Sequence, residues 1–195
     1  MRLWAAVSVF FVGAGLASAQ VAEFSLSGGV SRFGNSSLGT NVDSAGNASK
    51  VAINNGFRLT FRFSLNNYKF MGHEFGYAYN RSGVNLGTGG TVPMSIQQGF
   101  YDFLVYAMPE GKRVRPFAAG GVQFTAFSQP GSQYTNNRET KYGINYGGGV
   151  KVKVKENWGF RLDVRQYNMG KPFSLPNVSG RLLMWEFSGS VSFLL

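Results

Sequence analysis

RLLMWEFSGSVSFLL, residues 181–195, decides the fold. Past Arg181, its odd positions are Leu183, Trp185, Phe187, Gly189, Val191, Phe193 and Leu195, apolar throughout. Its even positions are Leu182, Met184, Glu186, Ser188, Ser190, Ser192 and Leu194, polar in the middle. A period of two is that of a strand, whose successive side chains leave on opposite faces. The stretch is about twice as long as the usual strand of a globular domain and exceeds the roughly 9–11 residues with which a tilted strand crosses a bilayer. Large aromatics occupy one face and a carboxylate with three serines the other. For a soluble sheet this is inside out: the small polar groups suit a lumen and the large apolar ones suit lipid.

The start of the chain agrees. Met1-Arg2 is a short positive region, Leu3 to Leu16 an apolar core, and Ala17-Ser18-Ala19 a small-residue cleavage pattern. Residues 1–19 are expected to be a secretory signal peptide; the other reading is a retained anchor, for which the segment is short and wrongly flanked. The remaining domain, 20–195, has no other run of membrane-helix length. With no cysteines, export brings no disulfide and no thiolate metal site. Charged residues are only 14% and glycines number 27, about twice the usual share. Glycine suits strands that must bend into a narrow barrel. The formal charge of +10 in an exported chain argues against nucleic acid and for anionic lipid phosphates as partner.

The same alternation recurs along the chain. A first strand covers about Glu23 to Phe33, with Phe24, Leu26, Gly28 and Val30 on one face. Gly34 to Lys50 shows no apolar period and is expected to be a long loop. Phe57, Leu59, Phe61, Phe63 and Leu65 oppose Arg58, Thr60, Arg62 and Ser64, and Asn66-Asn67 is a candidate two-residue turn because Asn tolerates the left-handed conformation. Met71, His73, Phe75, Tyr77 and Tyr79 oppose Gly72, Glu74, Gly76 and Ala78; Arg81 to Met94 is expected to be a second long loop. In a fourth strand, Ser95 to Met108, Tyr101, Phe103 and Val105 oppose Gln98, Phe100, Asp102 and Leu104. Pro109 to Arg113 is a tight turn before a fifth strand from Val114 to Ser128, and Gln129 to Lys141 a third long loop. In the sixth, Tyr142 to Lys155, Ile144, Tyr146, Val150 and Val152 oppose Asn145, Lys151 and Lys153; Glu156-Asn157 turns the chain. In the seventh, Trp158, Phe160, Leu162 and Val164 oppose Arg161, Asp163, Arg165 and Tyr167, and Gly170 to Gly180 leads into the closing strand.

The connections thus read 17, 2, 14, 5, 13, 2 and 11 residues. Such alternation predicts an all-β, eight-stranded antiparallel closed transmembrane β-barrel, with long external loops and short periplasmic turns. The competing reading is a soluble barrel of lipocalin type with the aromatic face inward.

In layout the chain resembles the OmpA-type family of small outer-membrane barrels, the OmpX-like and opacity-protein-like group. The resemblance is carried by Ala17-Ser18-Ala19, by Gly72-His73-Glu74-Phe75-Gly76-Tyr77, by Arg115-Pro116-Phe117-Ala118-Ala119-Gly120-Gly121-Val122, and by the alternating last strand. It implies residence in the bacterial outer membrane and recognition of the C-terminal strand by the outer-membrane assembly machinery. The chain departs from it by ending in Leu195 where such barrels usually end in Phe, and no peptidoglycan-binding domain follows the barrel. A monomer is expected.

Candidate functional residues fall in two sets. The lumen set is Arg58, Arg62, Glu74, Asp102, Lys151, Lys153, Arg161, Asp163, Arg165 and Glu186. An eight-stranded barrel is just wide enough for its own side chains, and buried charges need partners, so this set is expected to interlock as a polar plug; the alternative is an ion path. The rim set is Lys50, Arg81, Arg138, Lys141, Lys171 and Arg181, where cations could meet lipopolysaccharide phosphates. No cofactor and no metal are expected, because one histidine and no cysteine make a poor donor set. Lipid A-modifying barrels, by resemblance, need His with Ser and an acid, often as His-x-Ser; here His73 precedes Glu74-Phe75. A non-enzymatic protein presenting loops for adhesion, surface interaction or envelope integrity is therefore expected, with a small channel or a lipid A-modifying enzyme as alternatives.

Overall fold

A computed structural model describes residues 21–42, 45–87, 90–130 and 138–195; the signal-peptide expectation falls on residues outside these. Ten strands follow one another: β1 (Val21–Gly34), β2 (Ser37–Val42), β3 (Ala48–Ile53), β4 (Gly56–Tyr68), β5 (Met71–Asn85), β6 (Thr91–Tyr106), β7 (Val114–Ser128), β8 (Arg138–Lys153), β9 (Trp158–Met169) and β10 (Leu182–Leu194). Eight of them form the wall. Each pairs antiparallel with its neighbour, and β1 pairs with both β4 and β10, so the sheet closes on itself. Closure leaves no edge in the wall, as a hydrocarbon environment requires, since no water is there to satisfy unpaired backbone groups.

The alternation read in the sequence places the side chains. Phe24, Leu26, Phe57, Phe61, Phe75, Val122, Phe160, Leu162 and Phe187 stand exposed on the outer wall, while Ser27, Arg58, Thr60, Arg62, Glu74, Arg161 and Glu186 are buried within. In β6 the same holds: Tyr101, Phe103 and Val105 face out and Gln98, Phe100, Asp102 and Leu104 face in. Single cysteines at Phe61, Leu162 and Phe187 are accordingly expected to react with lipid-phase probes, and those at Thr60 and Ser188 to stay unreactive. Reversed labelling would mean a soluble barrel.

Four connections differ from the sequence reading, the least of them Gln129 to Lys141, whose last four residues, from Arg138, open β8 and pair with β7. The stretch from Gly34 to Lys50 is not a bare loop but carries the β2–β3 hairpin, which joins the end of β5 through Ala52↔Asn85 and Ile53↔Val84. Its apolar residues are few, yet Leu38, Val51 and Ile53 are buried over the external mouth. That packing is tertiary, and no local period announces it. The stretch from Arg81 to Met94 is mostly strand: β5 and β6 stay in register to Asn85↔Thr91 and project beyond the wall. Asn66-Asn67 is not the turn. The ladder shifts register between Leu65 and Tyr68, and the chain reverses at Lys69 and Phe70. Asn66 instead turns inward and accepts a hydrogen bond from the Tyr106 hydroxyl at 2.8 Å. Because strands overrun the wall outside, the long–short asymmetry belongs to the wall and not to every connection: residues 86–90 outside are fewer than 107–113 inside.

Candidate functional site

The lumen is built in three storeys. At the external end is an apolar one, where Leu38, Val84, Met94, Ile96, Phe127, Met169, Leu182 and Met184 pack together with the partly buried Phe173 and Leu175. Phe100 and Tyr167 form its floor. Below them is the charged storey, and beneath that the periplasmic mouth.

Four arginines and four carboxylates make the charged storey: Arg58, Arg62, Arg161 and Arg165 with Glu74, Asp102, Asp163 and Glu186, all buried. Glu74 is the hub. Its carboxylate lies 2.5 Å from Arg161 Nη1, 2.9 Å from Arg165 Nη2 and 3.6 Å from Arg62 Nε, and it accepts a hydrogen bond from Ser64 Oγ at 2.9 Å. Glu186 closes the external side, 3.0 Å from Arg58 Nε and 2.5 Å from Arg62 Nη2. It also accepts from the Tyr167 hydroxyl at 2.8 Å and from Ser188 at 2.6 Å. Asp163 lies 2.8 Å from Arg161 Nε and 3.2 Å from Arg165. Asp102 pairs with Arg165 Nη1. Glu74 and Asp102 face each other across the β5–β6 ladder, a repulsive juxtaposition that Arg165 relieves by touching both.

Aromatic rings clamp this layer from both sides. Arg58 lies 4.8 Å from the Tyr167 ring centroid and Arg62 5.7 Å from that of Phe100. On the other side Arg161 lies 4.6 Å from that of Phe117. Such contacts gain strength when desolvated. Equal numbers of positive and negative groups leave no net fixed charge in the layer to select an ion.

Of the ten lumen residues named from sequence, the structure brings together eight in this layer. Lys151 is one storey lower, where its Nζ lies 2.6 Å from Glu23 and donates to the Tyr106 hydroxyl at 2.9 Å. Lys153 is half-buried at the periplasmic mouth, so it belongs to the rim and not to the plug; the strand carrying it has by then reached water. Sequence reading missed Glu23, the partner of Lys151, because it stands at the first strand's margin. It also missed Gln98, whose side chain accepts from Arg58 at 2.6 Å and donates to Gln123 at 2.7 Å. Neutral amides in a strand carry no signal of what they will meet across a lumen.

The rim set is dispersed. Arg138 donates to Gln97 at 2.8 Å, Lys141 lies 2.6 Å from Glu139, Lys171 donates to Asn35 at 3.1 Å, and Arg181 donates to the Asn168 carbonyl at 3.1 Å. Partial burial and the charge of Lys50 lower the pKa of Lys171. Arg81 stands on the outer wall at the external end of β5.

His73 lies on the outer wall, its Nδ1 2.7 Å from the Tyr101 hydroxyl and its ring 5.5 Å from that of Phe103. Among the described residues, no three His, Cys, Asp or Glu side chains are grouped to hold a metal ion.

Comparison with known proteins agrees with this architecture. Residues 3–184 match the family described as the outer membrane protein beta-barrel domain. Among solved structures, the outer membrane protein OprG from Pseudomonas aeruginosa is similar with a TM-score of 0.62 at 15% identity, over 92% of this chain and 98% of that one. Neisserial surface protein A matches with a TM-score of 0.60 at 13% identity, over 90% and 97%. The N-terminal barrel domain of Pseudomonas aeruginosa OprF matches with a TM-score of 0.54 at 12% identity, over 90% and 97%. These likenesses concern the fold. No curated protein matches the chain in sequence. A closed wall with an apolar exterior and a charged interior, together with a family match spanning nearly the whole chain, has one reading: this chain is a member of the outer membrane protein beta-barrel domain family, and its place is the bacterial outer membrane.

Proposed function

We propose that this chain is a non-enzymatic barrel that presents its external loops and rim at the cell surface, for adhesion, surface interaction or envelope integrity, and that its lumen is closed. One observation carries the closed lumen: Arg58, Arg161, Arg165, Glu74, Asp102 and Glu186 are each 0% exposed and joined by direct ion pairs. An ion entering would have to displace charge-assisted bonds, which are about twice as strong as neutral ones. Each guanidinium and carboxylate of the layer is already held in at least one ion pair, so none of these charges is free to hold a permeating ion.

Against catalysis, His73 is turned to the lipid side while Glu74 is turned to the lumen, and a general base must reach the nucleophile it activates. The proposal includes lipopolysaccharide as the neighbour of the basic rim, and the outer-membrane assembly machinery as the partner that reads β10.

Planar-bilayer recording tests the closed lumen. The native barrel is expected to give no stepwise ion current, and the Glu74→Gln variant to show transient openings. Sustained unitary conductance from the native protein would replace this reading with that of a small channel.

A further inference from the structure

Two arginines at the external end of the outer wall are left without partners. Arg32 on β1 and Arg81 on β5 are exposed, and among the described residues neither side chain has an ion pair or hydrogen bond. They contrast with Arg138, Lys141, Lys171 and Arg181, each already engaged within the protein. Both line one groove of about 490 Å³ with Val30, Asn55 and Phe57. The register shows how. Phe57 on β4 stands between Val30 on β1 and Arg81 on β5, and Arg32 is one pleat beyond Val30. Neighbouring strands are about 4.8 Å apart and one pleat repeat is about 6.7 Å long, so the two arginine backbones stand roughly 12 Å apart across the wall, with a ring and an aliphatic side chain between them.

A second depression lies below the first and extends across the wall towards β8. One pleat below Val30 is Gly28, and one pleat below Phe57 is Leu59. Both line an outward depression of about 620 Å³ shared with Leu26, Leu162, Gly189 and Val191. Gly28 and Gly189 face each other across the β1–β10 ladder. A Cβ at Gly28 would meet nothing within 4 Å. Two facing glycines thus cut a trough into a wall otherwise covered by Leu, Val and Phe side chains. Two cations above an apolar trough match an anionic amphiphile whose tail points into the membrane.

We propose that Arg32 and Arg81 bind the phosphates of the outer-leaflet glycolipid, and that one of its acyl chains lies in the Gly28–Gly189 trough. This rests on the outer-membrane surface reading above but not on the closed lumen. The headgroup site combines charge-assisted donors that suit phosphate with the Asn55 amide at its edge. A phospholipid offers the pair one phosphate; a glucosamine disaccharide phosphorylated at both ends offers one to each arginine. Two unpaired cations therefore match the glycolipid better in charge.

The test uses the full barrel folded in detergent, titrated with bisphosphorylated lipid A, dephosphorylated lipid A and phosphatidylglycerol. Bisphosphorylated lipid A is expected to bind about tenfold more tightly than either other lipid at low salt, with the gap narrowing as salt approaches a Debye length of about 8 Å. Arg32→Gln with Arg81→Gln should erase the gap. Lys112→Gln with Lys155→Gln should leave it, since both are exposed in turns at the periplasmic end of the wall. Gly28→Leu should weaken both forms of lipid A several-fold while keeping their ratio, because it fills the trough without touching the arginines. A gap that survives in the double arginine variant, or phosphatidylglycerol binding as tightly as lipid A, would overturn the proposal. Both results would leave the conductance test of the closed lumen standing.

Discussion

Glu74→Gln is expected to lower the unfolding free energy of the detergent-folded barrel by about 3–5 kcal/mol, the range for breaking a buried ion pair by removing one partner. Gln matches Glu in shape, so the change removes charge and leaves packing intact. Glu74 is the carboxylate that Arg161, Arg165 and Arg62 share. Its neutralisation leaves four buried guanidinium groups facing three carboxylates in a layer closed to water. Glu186→Gln should follow at a similar magnitude, since it faces Arg58 and Arg62. Because the two carboxylates share Arg62, their effects should not add; a double-mutant cycle should show coupling. Urea titration followed by tryptophan fluorescence measures all three variants. An unchanged midpoint for both single variants would mean a hydrated lumen, in which the lost charge is replaced by solvent.

The second large effect is expected at Gly147, where substitution by Ala should cost roughly 3 kcal/mol or more, at or above the upper end for overpacking a tight interior. A Cβ there would stand 2.2 Å from the Val164 carbonyl oxygen and 2.8 Å from the Arg165 Cα. Both are backbone atoms of the neighbouring strand, so no rotamer change relieves the contact. Gly149 is alike, with the Leu162 carbonyl oxygen 2.0 Å away and the Phe117 ring 2.9 Å away. These inward glycines of β8 let the wall curve closely around the arginines of β9. Gly28→Ala is the matched control: it is also a wall glycine in a strand, but it faces outward into open space. Its expected cost is within about 0.5 kcal/mol, as for a surface position. Equal losses at Gly147 and Gly28 would show that strand propensity, and not the narrow bore, governs these sites.

The barrel was legible in the sequence because its signal is local. Facing of each residue follows from parity alone, so β4, β9 and β10 read directly from Phe57-Arg58-Leu59, Phe160-Arg161-Leu162 and Phe187-Ser188-Gly189. Even in β6, where Phe100 and Leu104 put apolar groups on the inner face, parity placed Asp102 inside. The inner apolar residues have their own reason: Phe100 lies against Arg62 and Tyr167, a ring placed between charge and the apolar storey. Even eight-fold closure followed from an even count of long alternating strands.

Contacts between strands distant in sequence were a matter for the tertiary structure. Parity says that Glu74 and Arg161 both enter the lumen, but they are 87 residues apart and meet only because closure brings β5 and β9 across the bore. That Lys151 pairs with Glu23, or that Gln98 bridges Arg58 and Gln123, depends on strand stagger, which no single segment encodes. The β2–β3 hairpin is stabilised by burial of Leu38, Val51 and Ile53 over the mouth, not by a period of its own, so a composition of Asn, Ser and Gly hid it. The rim shows the same division most clearly. Charge counting in the sequence singled out Arg81 but passed over Arg32, which in one dimension is simply a residue at the end of a strand. Only the pairing of β1 with β4 and β4 with β5 brings the two arginines to one groove, and only the facing of Gly28 with Gly189 opens the trough beneath them. Period two is written in the covalent order of the chain; the register between strands is a property of the closed sheet.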